Sequence, residues 1–210
     1  MAAGVTGTLY YFADPMCSWC WGFSPVIREI AAVVGDRAAV RFVAGGLRTG
    51  QTQPMSEKTK AVIRHHWQEV AKTTGQPFNF AFFDREDFRY DTEAACRAVV
   101  VMRSFAPGAT LAYLDAVQRA FYASNRDVTD PAVLADIAGA FDLDAAGFSA
   151  LFNAAEIIAA TRADFRAAAA AGITGFPTVI LRDAAGFSLL TAGYQPLEAL
   201  KPHLDHWLGA

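Results

Sequence analysis

Cysteine is scarce in this chain: three among 210 residues, too few for a framework of disulfide staples. Cys17, Cys20 and Cys96 must therefore be read for chemistry or for packing. Long apolar runs are missing as well. The longest, such as Ala98 to Met102, last only a handful of residues, which excludes a bilayer-spanning helix. There is no excess of one charge, since 18 Lys and Arg stand against 21 Asp and Glu for a formal net charge of -3. That balance supplies no electrostatic footprint for nucleic acid or anionic lipid. Glycine at 16 and proline at 9 are too few for a collagen-like or linker-dominated chain. No Lys or Arg precedes Arg28 and no long apolar core precedes mature sequence, so no secretory signal peptide is expected. The expectation is a cytoplasmic protein, or one that begins after processing. What is abundant is core material: 53% of residues are apolar and 19% charged, which excludes disorder and suits one domain or one domain with a large insertion.

The patterning supports the second choice. Thr8 to Ala13 is a nearly continuous β-prone run, as expected of a strand buried on both faces, and it stops at Asp14-Pro15. Phe23, Val26, Ile27 and Ile30 mark one face of a helix, with Gly35 as its expected left-handed stop. Val40, Phe42 and Ala44 alternate as a second strand before Gly45-Gly46. Strand, helix and strand in so short a span predict a right-handed βαβ unit with parallel strands. Residues 55–170 then read as almost wholly helical. Ile63, His66, Trp67 and Val70 form a stripe that ends near Gly75, and Asp91 or Thr92 caps the next helix. Leu114, Val117 and Phe121 keep helical spacing, Asp130-Pro131 is an N-cap with proline behind it, and Asp144 precedes Phe148, Leu151 and Phe152. After Gly172, Thr178 to Leu181 and Phe187 to Thr191 predict an antiparallel hairpin. Pro196 then opens a terminal helix that Pro202 is expected to kink or split. The fold class is α/β, with residues 1–54 and 171–210 as one domain and 55–170 as an inserted helical domain.

The chemistry lies at Cys17-Ser-Trp-Cys20, where the first strand meets the first helix. Spacing of i, i+3 puts both sulfurs on one side of the first turn, close enough to join. The free amides of that helix end carry partial positive charge and favour a thiolate at Cys17. A low thiol pKa also makes Cys17 a good leaving group from a mixed disulfide. Cys17 is expected at an exposed tip and Cys20 one turn in. Cys17 would attack a substrate disulfide and Cys20 would resolve the mixed disulfide, or the reverse for oxidation. Trp19, Trp21 and Phe23 would give an apolar rim for an extended peptide. A CxxC is also half of a zinc site, and His203 and His206 are candidates for the other half. Structural zinc sites usually pair their halves across a short loop, whereas these stand at opposite ends of the chain, so dithiol redox is favoured.

The strand followed by Asp14-Pro-Met-Cys-Ser-Trp-Cys-Trp-Gly-Phe, Pro25 beyond it, and Gly175-Phe-Pro-Thr178 before a late strand resemble the DsbA-like branch of the thioredoxin superfamily, with cytoplasmic FrnE-type members as the nearest match. Gly45-Gly-Leu-Arg48 and the Cys96-Arg-Ala98 helix extend the resemblance along the chain. It implies a thioredoxin-like fold with a helical insertion and a thiol–disulfide oxidoreductase acting on protein or small-thiol substrates. It also implies a cis Pro177 facing the dithiol, with the Phe176 backbone free to pair with substrate, and a kink at Pro25. Without it, Pro177 is an edge or first-position strand proline. No metal or organic cofactor is required, with glutathione or another thiol as the recycling partner. Secreted DsbA oxidants commonly carry a histidine inside the CxxC, whereas Ser18-Trp19 offers no cation. Kappa-class glutathione transferases and hydroxychromene carboxylate isomerases share this architecture but place a serine where Cys17 stands, so glutathione-dependent isomerisation is the alternative. A chaperone-like binder using the aromatic groove without turnover is another.

The remaining candidates have ordinary structural roles to weigh against chemistry. Cys96 shares a stripe with Val99 and Val100 and reads as a buried inert thiol. His66 reads as a core histidine, while His65, His203 and His206 read as solvated. Asp14 either caps the first helix, the preferred reading, or takes part in proton transfer. Arg48 and Arg97 either contact an anionic substrate or bridge carboxylates.

Overall fold

The computed structural model describes residues 7–209; the leader-free reading of residues 1–6 lies outside them. Among the described residues four strands form one sheet. β1 (Gly7–Ala13) is central, with β2 (Ala38–Ala44) parallel on one side and β3 (Thr178–Asp183) antiparallel on the other, and β4 (Gly186–Ala192) lies beyond β3. Leu9 faces Val40 across one ladder and Leu181 across the other, so the β-prone run is enclosed by sheet on both edges. Successive side chains alternate between faces. Leu9, Tyr11 and Ala13 are therefore buried together, and Tyr11 meets Phe23 of the following helix with ring centroids 6.0 Å apart.

That helix, α1 (Ser18–Val34), buries Phe23, Ile27, Ile30 and Val34 on one stripe. It runs on through Pro25. The carbonyl that Pro25 cannot reach, that of Trp21, accepts instead from the Gln76 side-chain amide at 2.9 Å, so the missing ladder bond is replaced. Gly35 ends the helix with φ 51° and ψ -133°, a positive-φ conformation open to glycine but not the left-handed helical one expected.

Between β2 and β3 lie α2 (Glu57–Thr74), α3 (Glu93–Phe105), α4 (Thr110–Tyr122), α5 (Pro131–Gly139), α6 (Ala145–Phe152) and α7 (Ala155–Ala170). Their ends follow local chemistry. Gly75 takes the left-handed cap of α2, Asp130 accepts the Ala132 amide at 2.8 Å, and Asp144 accepts the Gly147 amide at 2.7 Å. The first-turn amide of α3 is taken by Asp91 at 2.9 Å, while the hydroxyl of Thr92 turns elsewhere. Trp67 on α2 is fully buried at the centre of an aromatic cluster with Phe78, Phe82, Phe83, Phe121 and Tyr122. The helices are tied to the sheet at the end of β2. Asp164 of α7 accepts the Ala44 amide at 2.9 Å and pairs with Arg103 of α3 at 2.7 Å, while Arg103 also donates to the Phe42 carbonyl at 2.7 Å. The chain closes with α8 (Leu197–Trp207), continuous through Pro202 and not split by it.

Candidate dithiol site

β1 ends at Ala13, and Asp14-Pro15-Met16 turns the chain into α1. The Cys17 amide donates to the Asp14 carbonyl at 3.0 Å, and the Cys17 carbonyl accepts from Trp21 at 3.0 Å as the first bond of the helix. Cys17 is thus the N-cap residue, in extended backbone conformation, and its own side chain makes no cap hydrogen bond to the amides of the first turn. Both Cys17 and Cys20 are free thiols. Cys17 is less open than an exposed tip would be, with 6% of its surface accessible against none for Cys20. The reason is the loop across from it. The Cys17 thiol donates to the Phe176 carbonyl at 3.4 Å, and the Phe176–Pro177 peptide bond is cis. Burial pushes the Cys20 thiol well above the ordinary range, and hydrogen bonding and charge from Cys17 push it further. The inner sulfur therefore holds its proton at neutral pH.

Phe176 is positioned by what lies behind it. A Cβ on Gly45 would come within 2.5 Å of the Phe176 ring, so the ring packs flat against a backbone that has no side chain. Gly45 itself donates to the Ala13 carbonyl at 2.8 Å, which carries the β1–β2 ladder to the edge of the site. The Pro177 carbonyl accepts from Gly193 at 2.7 Å.

Asp14 does not cap α1. Its Oδ1 accepts the Met16 amide at 2.8 Å, and its Oδ2 accepts the Leu47 amide at 2.7 Å, the Thr92 hydroxyl at 2.7 Å and the Cys96 thiol at 3.3 Å. Fully buried, it joins three segments distant in sequence: the turn after β1, the loop after β2 and the start of α3. Burial raises its pKa although all of these hydrogen bonds oppose the shift. Cys96 is buried as expected, but it is a member of this polar cluster and not simply an apolar filler. Burial first, and then the charge of Asp14, push its thiol well up.

Two tyrosines escaped the sequence reading. Tyr90 donates to the Met16 carbonyl at 2.6 Å, and the fully buried Tyr11 hydroxyl, beside the Cys20 sulfur, completes no hydrogen bond of good geometry among the described residues. No local pattern marks Tyr90, which reaches the turn from 74 residues away. Tyr11 lies inside an apolar strand and reads there as core.

The outer face of Cys17 opens on a groove of about 250 Å³, walled by α2, the loop after β2 and Gly175–Phe176. Trp19 lines it, half-buried, with its ring 6.0 Å from that of Tyr194. Trp21 and Phe23 do not form the rim; both are fully buried, since the turn of the helix carries them inward. His66 departs from its expected core place in the opposite direction. Ile63, Trp67 and Val70 make the buried stripe of α2, and His66, at its flank, is exposed and lines the groove. Arg48 lines it too, half-buried, with its guanidinium 5.5 Å from the Tyr90 ring centroid. Arg97 instead pairs with Glu93 at 3.0 Å and lies over the Phe152 ring. His65, His203 and His206 are exposed. Among the described residues no group of three or more His, Cys, Asp or Glu side chains could hold a metal ion, so the zinc alternative has no assembled donor set. A larger cleft of about 840 Å³ beside β2, α3 and α7 contains neither cysteine of the pair.

A sequence profile of the DSBA-like thioredoxin domain matches residues 8–205. The chain belongs to this family. Its four-stranded sheet with helices inserted between β2 and β3 is the DsbA-like thioredoxin fold. A crystal structure from Nitrosomonas europaea, named a "putative protein disulfide isomerase", is 39% identical, superposes with a TM-score of 0.89 and covers 97% of this chain and 98% of its own. The cytosolic disulfide reductase DsbM from Pseudomonas aeruginosa is 27% identical with a TM-score of 0.75, covering 96% of this chain and 95% of that one, and it has also been solved with GSH. Among curated proteins, the ClpXP adapter protein SpxH of Bacillus subtilis is 23% identical over 172 residues, 81% of this chain. The chain spans only 56% of the length of that relative.

Proposed function

We propose that this DsbA-like protein is a cytoplasmic thiol–disulfide oxidoreductase of the FrnE-like kind, with Cys17 as nucleophile and Cys20 as resolving thiol. The observation that carries the reading is the inequality of the pair: Cys17 opens on the groove at the helix start, while Cys20 is sealed behind it and held protonated. The Cys17 thiolate attacks one sulfur of a substrate disulfide, forming a mixed disulfide and releasing one thiolate. Cys20 then gives its proton to the departing second sulfur as its own sulfur joins Cys17. Two electrons have passed from the protein dithiol to the substrate, and excess low-molecular-weight thiol reverses both steps. Trp19 and the Phe176–Pro177 backbone are the substrate-contacting residues, and Asp14 supports them by fixing the turn and the loop. A small thiol of the glutathione class fits as redox partner, in keeping with a relative solved with GSH.

The SpxH relatives favour a second reading, a binding adapter that does not turn over. Cys20→Ser decides between them. Incubated with glutathione disulfide, this variant accumulates a stable mixed disulfide at Cys17, detected by mass. Cys17→Ser forms none and loses disulfide exchange by roughly three orders of magnitude or more. A binder would be indifferent to both changes, and a glutathione-dependent isomerase would keep its activity without Cys20.

A further inference from the structure

The groove beside Cys17 is lined by basic side chains and, among the described residues, by no acidic ones. Arg48 and His66 both line it, Arg48 from the loop after β2 and His66 from α2, and no Asp or Glu is among its lining residues. Arg48 is half-buried, and among the described residues no carboxylate pairs with it, although Arg97, Arg103 and Arg126 all have acidic partners. A guanidinium partly removed from water and left without an anion is a binding group awaiting one.

Its placement is fixed from three directions. The Arg48 amide donates to the Thr92 hydroxyl at 3.2 Å, and the Arg48 carbonyl accepts from the Thr92 amide at 2.8 Å. The neighbouring Leu47 amide is held by Asp14. The side chain lies over Tyr90, whose own hydroxyl is anchored on the Met16 carbonyl, one residue before the nucleophile. The guanidinium is thus oriented before any ligand arrives, and a ligand loses little further freedom in meeting it.

Resting on the oxidoreductase reading, we infer that the groove selects low-molecular-weight disulfides and thiols that carry a carboxylate near the reacting sulfur, with Arg48 as the carboxylate anchor and His66 as a second donor on the α2 wall. Arg48 offers a planar fork of N–H donors that matches a carboxylate in bidentate fashion. A groove of about 250 Å³ lies below the usual pocket range of about 300–1,000 Å³, which suits a ligand of a few residues better than a folded protein loop. The exchange itself is unchanged: the anchor positions the sulfur, and electrons pass between the two sulfur pairs as above.

The test is single-turnover oxidation of the reduced protein, followed by tryptophan fluorescence, with glutathione disulfide and with uncharged hydroxyethyl disulfide. The ratio of the two second-order rate constants should fall about tenfold in Arg48→Gln, the loss of one charge-assisted anchor, and recover in part in Arg48→Lys. In wild-type protein a second readout needs no variant: Cys17 should react with iodoacetate, relative to iodoacetamide, faster than a free thiol does. An unchanged ratio in Arg48→Gln, or a wild-type alkylation ratio equal to that of a free thiol, overturns the anchor. So does preference for an acidic peptide disulfide over glutathione disulfide, which would assign the groove to polypeptide. Oxidation by neither disulfide would sink the oxidoreductase reading itself, an outcome distinct from oxidation without charge preference.

Discussion

The Cys17 thiol donates its hydrogen bond to the carbonyl of Phe176, 159 residues away in the chain, at 3.4 Å. The contact exists only while Cys17 carries a proton. A thiolate or a disulfide sulfur has nothing to donate, so reaction at Cys17 frees the carbonyl to accept an N–H from the incoming chain. The residue that touches the nucleophile is thereby also the residue suited to hold its substrate.

The place of Phe176 depends on Gly45, so Gly45→Ala tests it. The added methyl carbon would stand 2.5 Å from the Phe176 ring, and the ring must shift. Disulfide-exchange kcat/KM should fall roughly tenfold to a hundredfold, as expected for displacement of a positioning group by about an ångström. Stability should drop by about 1–3 kcal/mol. Gly139→Ala is the control, because among the described residues nothing beyond its own turn of helix lies within 4 Å of the new atom. Unchanged exchange kinetics in Gly45→Ala would remove Phe176 from the substrate path.

The buried thiols make stability fall in alkali. Cys20 and Cys96 have folded pKa values above the ordinary one, through burial first. Their contribution to stability is therefore complete below the unfolded thiol value of about 8.5 and is lost as pH rises through the folded values. Urea melts of the reduced protein should show declining stability above pH about 8.5, and Cys96→Ala should flatten that decline. Iodoacetamide with peptide mapping should label Cys17 first and Cys96 only on unfolding. Early labelling of Cys96 would contradict the burial argument.

Asp14 has the same sign for a different group. Its folded carboxyl pKa is raised, so its stabilising contribution is complete below the unfolded value of about 3.9 and fades as pH rises through the folded one. Asp14→Asn would turn an N–H towards the Leu47 amide or the Thr92 hydroxyl, both of which need an acceptor. The expected cost is about 1–3 kcal/mol near pH 4, narrowing towards neutral pH, read from paired urea melts. An advantage of Asp over Asn that grows with pH would refute it.

How far these features are visible in the residues depends on how local their causes are. The strand–helix unit around Cys17 and Cys20 was legible, because a β-prone run, a turn and a helical stripe are neighbours in sequence. So was the cap at Asp130, where one side chain suffices, and Gly75 marked the end of α2. The cis bond at Pro177 was legible only through the family resemblance, since a strand-start proline reads locally as an edge residue. Trp21 and His66 depart from expectation for a shared reason: helical spacing says which residues lie together but not how wide the buried stripe is, whereas Phe23 belongs to the buried stripe its spacing marks and only its place on the rim fails. His66 sits one position from Trp67 and falls on the open side, while Trp21 and Phe23 fall on the closed one. Asp14 was misread because a carboxylate before a helix is usually a cap. Its actual partners, Leu47, Thr92 and Cys96, come from two distant segments that only the folded sheet brings to it.

The account stands most directly on the Cys17–Cys20 couple, and titrating the protein against a glutathione redox buffer measures it. Tryptophan fluorescence should report one reversible two-electron transition, tenfold in equilibrium constant for about 30 mV. By mass, Cys17 and Cys20 should be joined at the oxidising end while Cys96 stays a thiol. Two free thiols across the whole range, or glutathione adducts with no internal bond between Cys17 and Cys20, would contradict it.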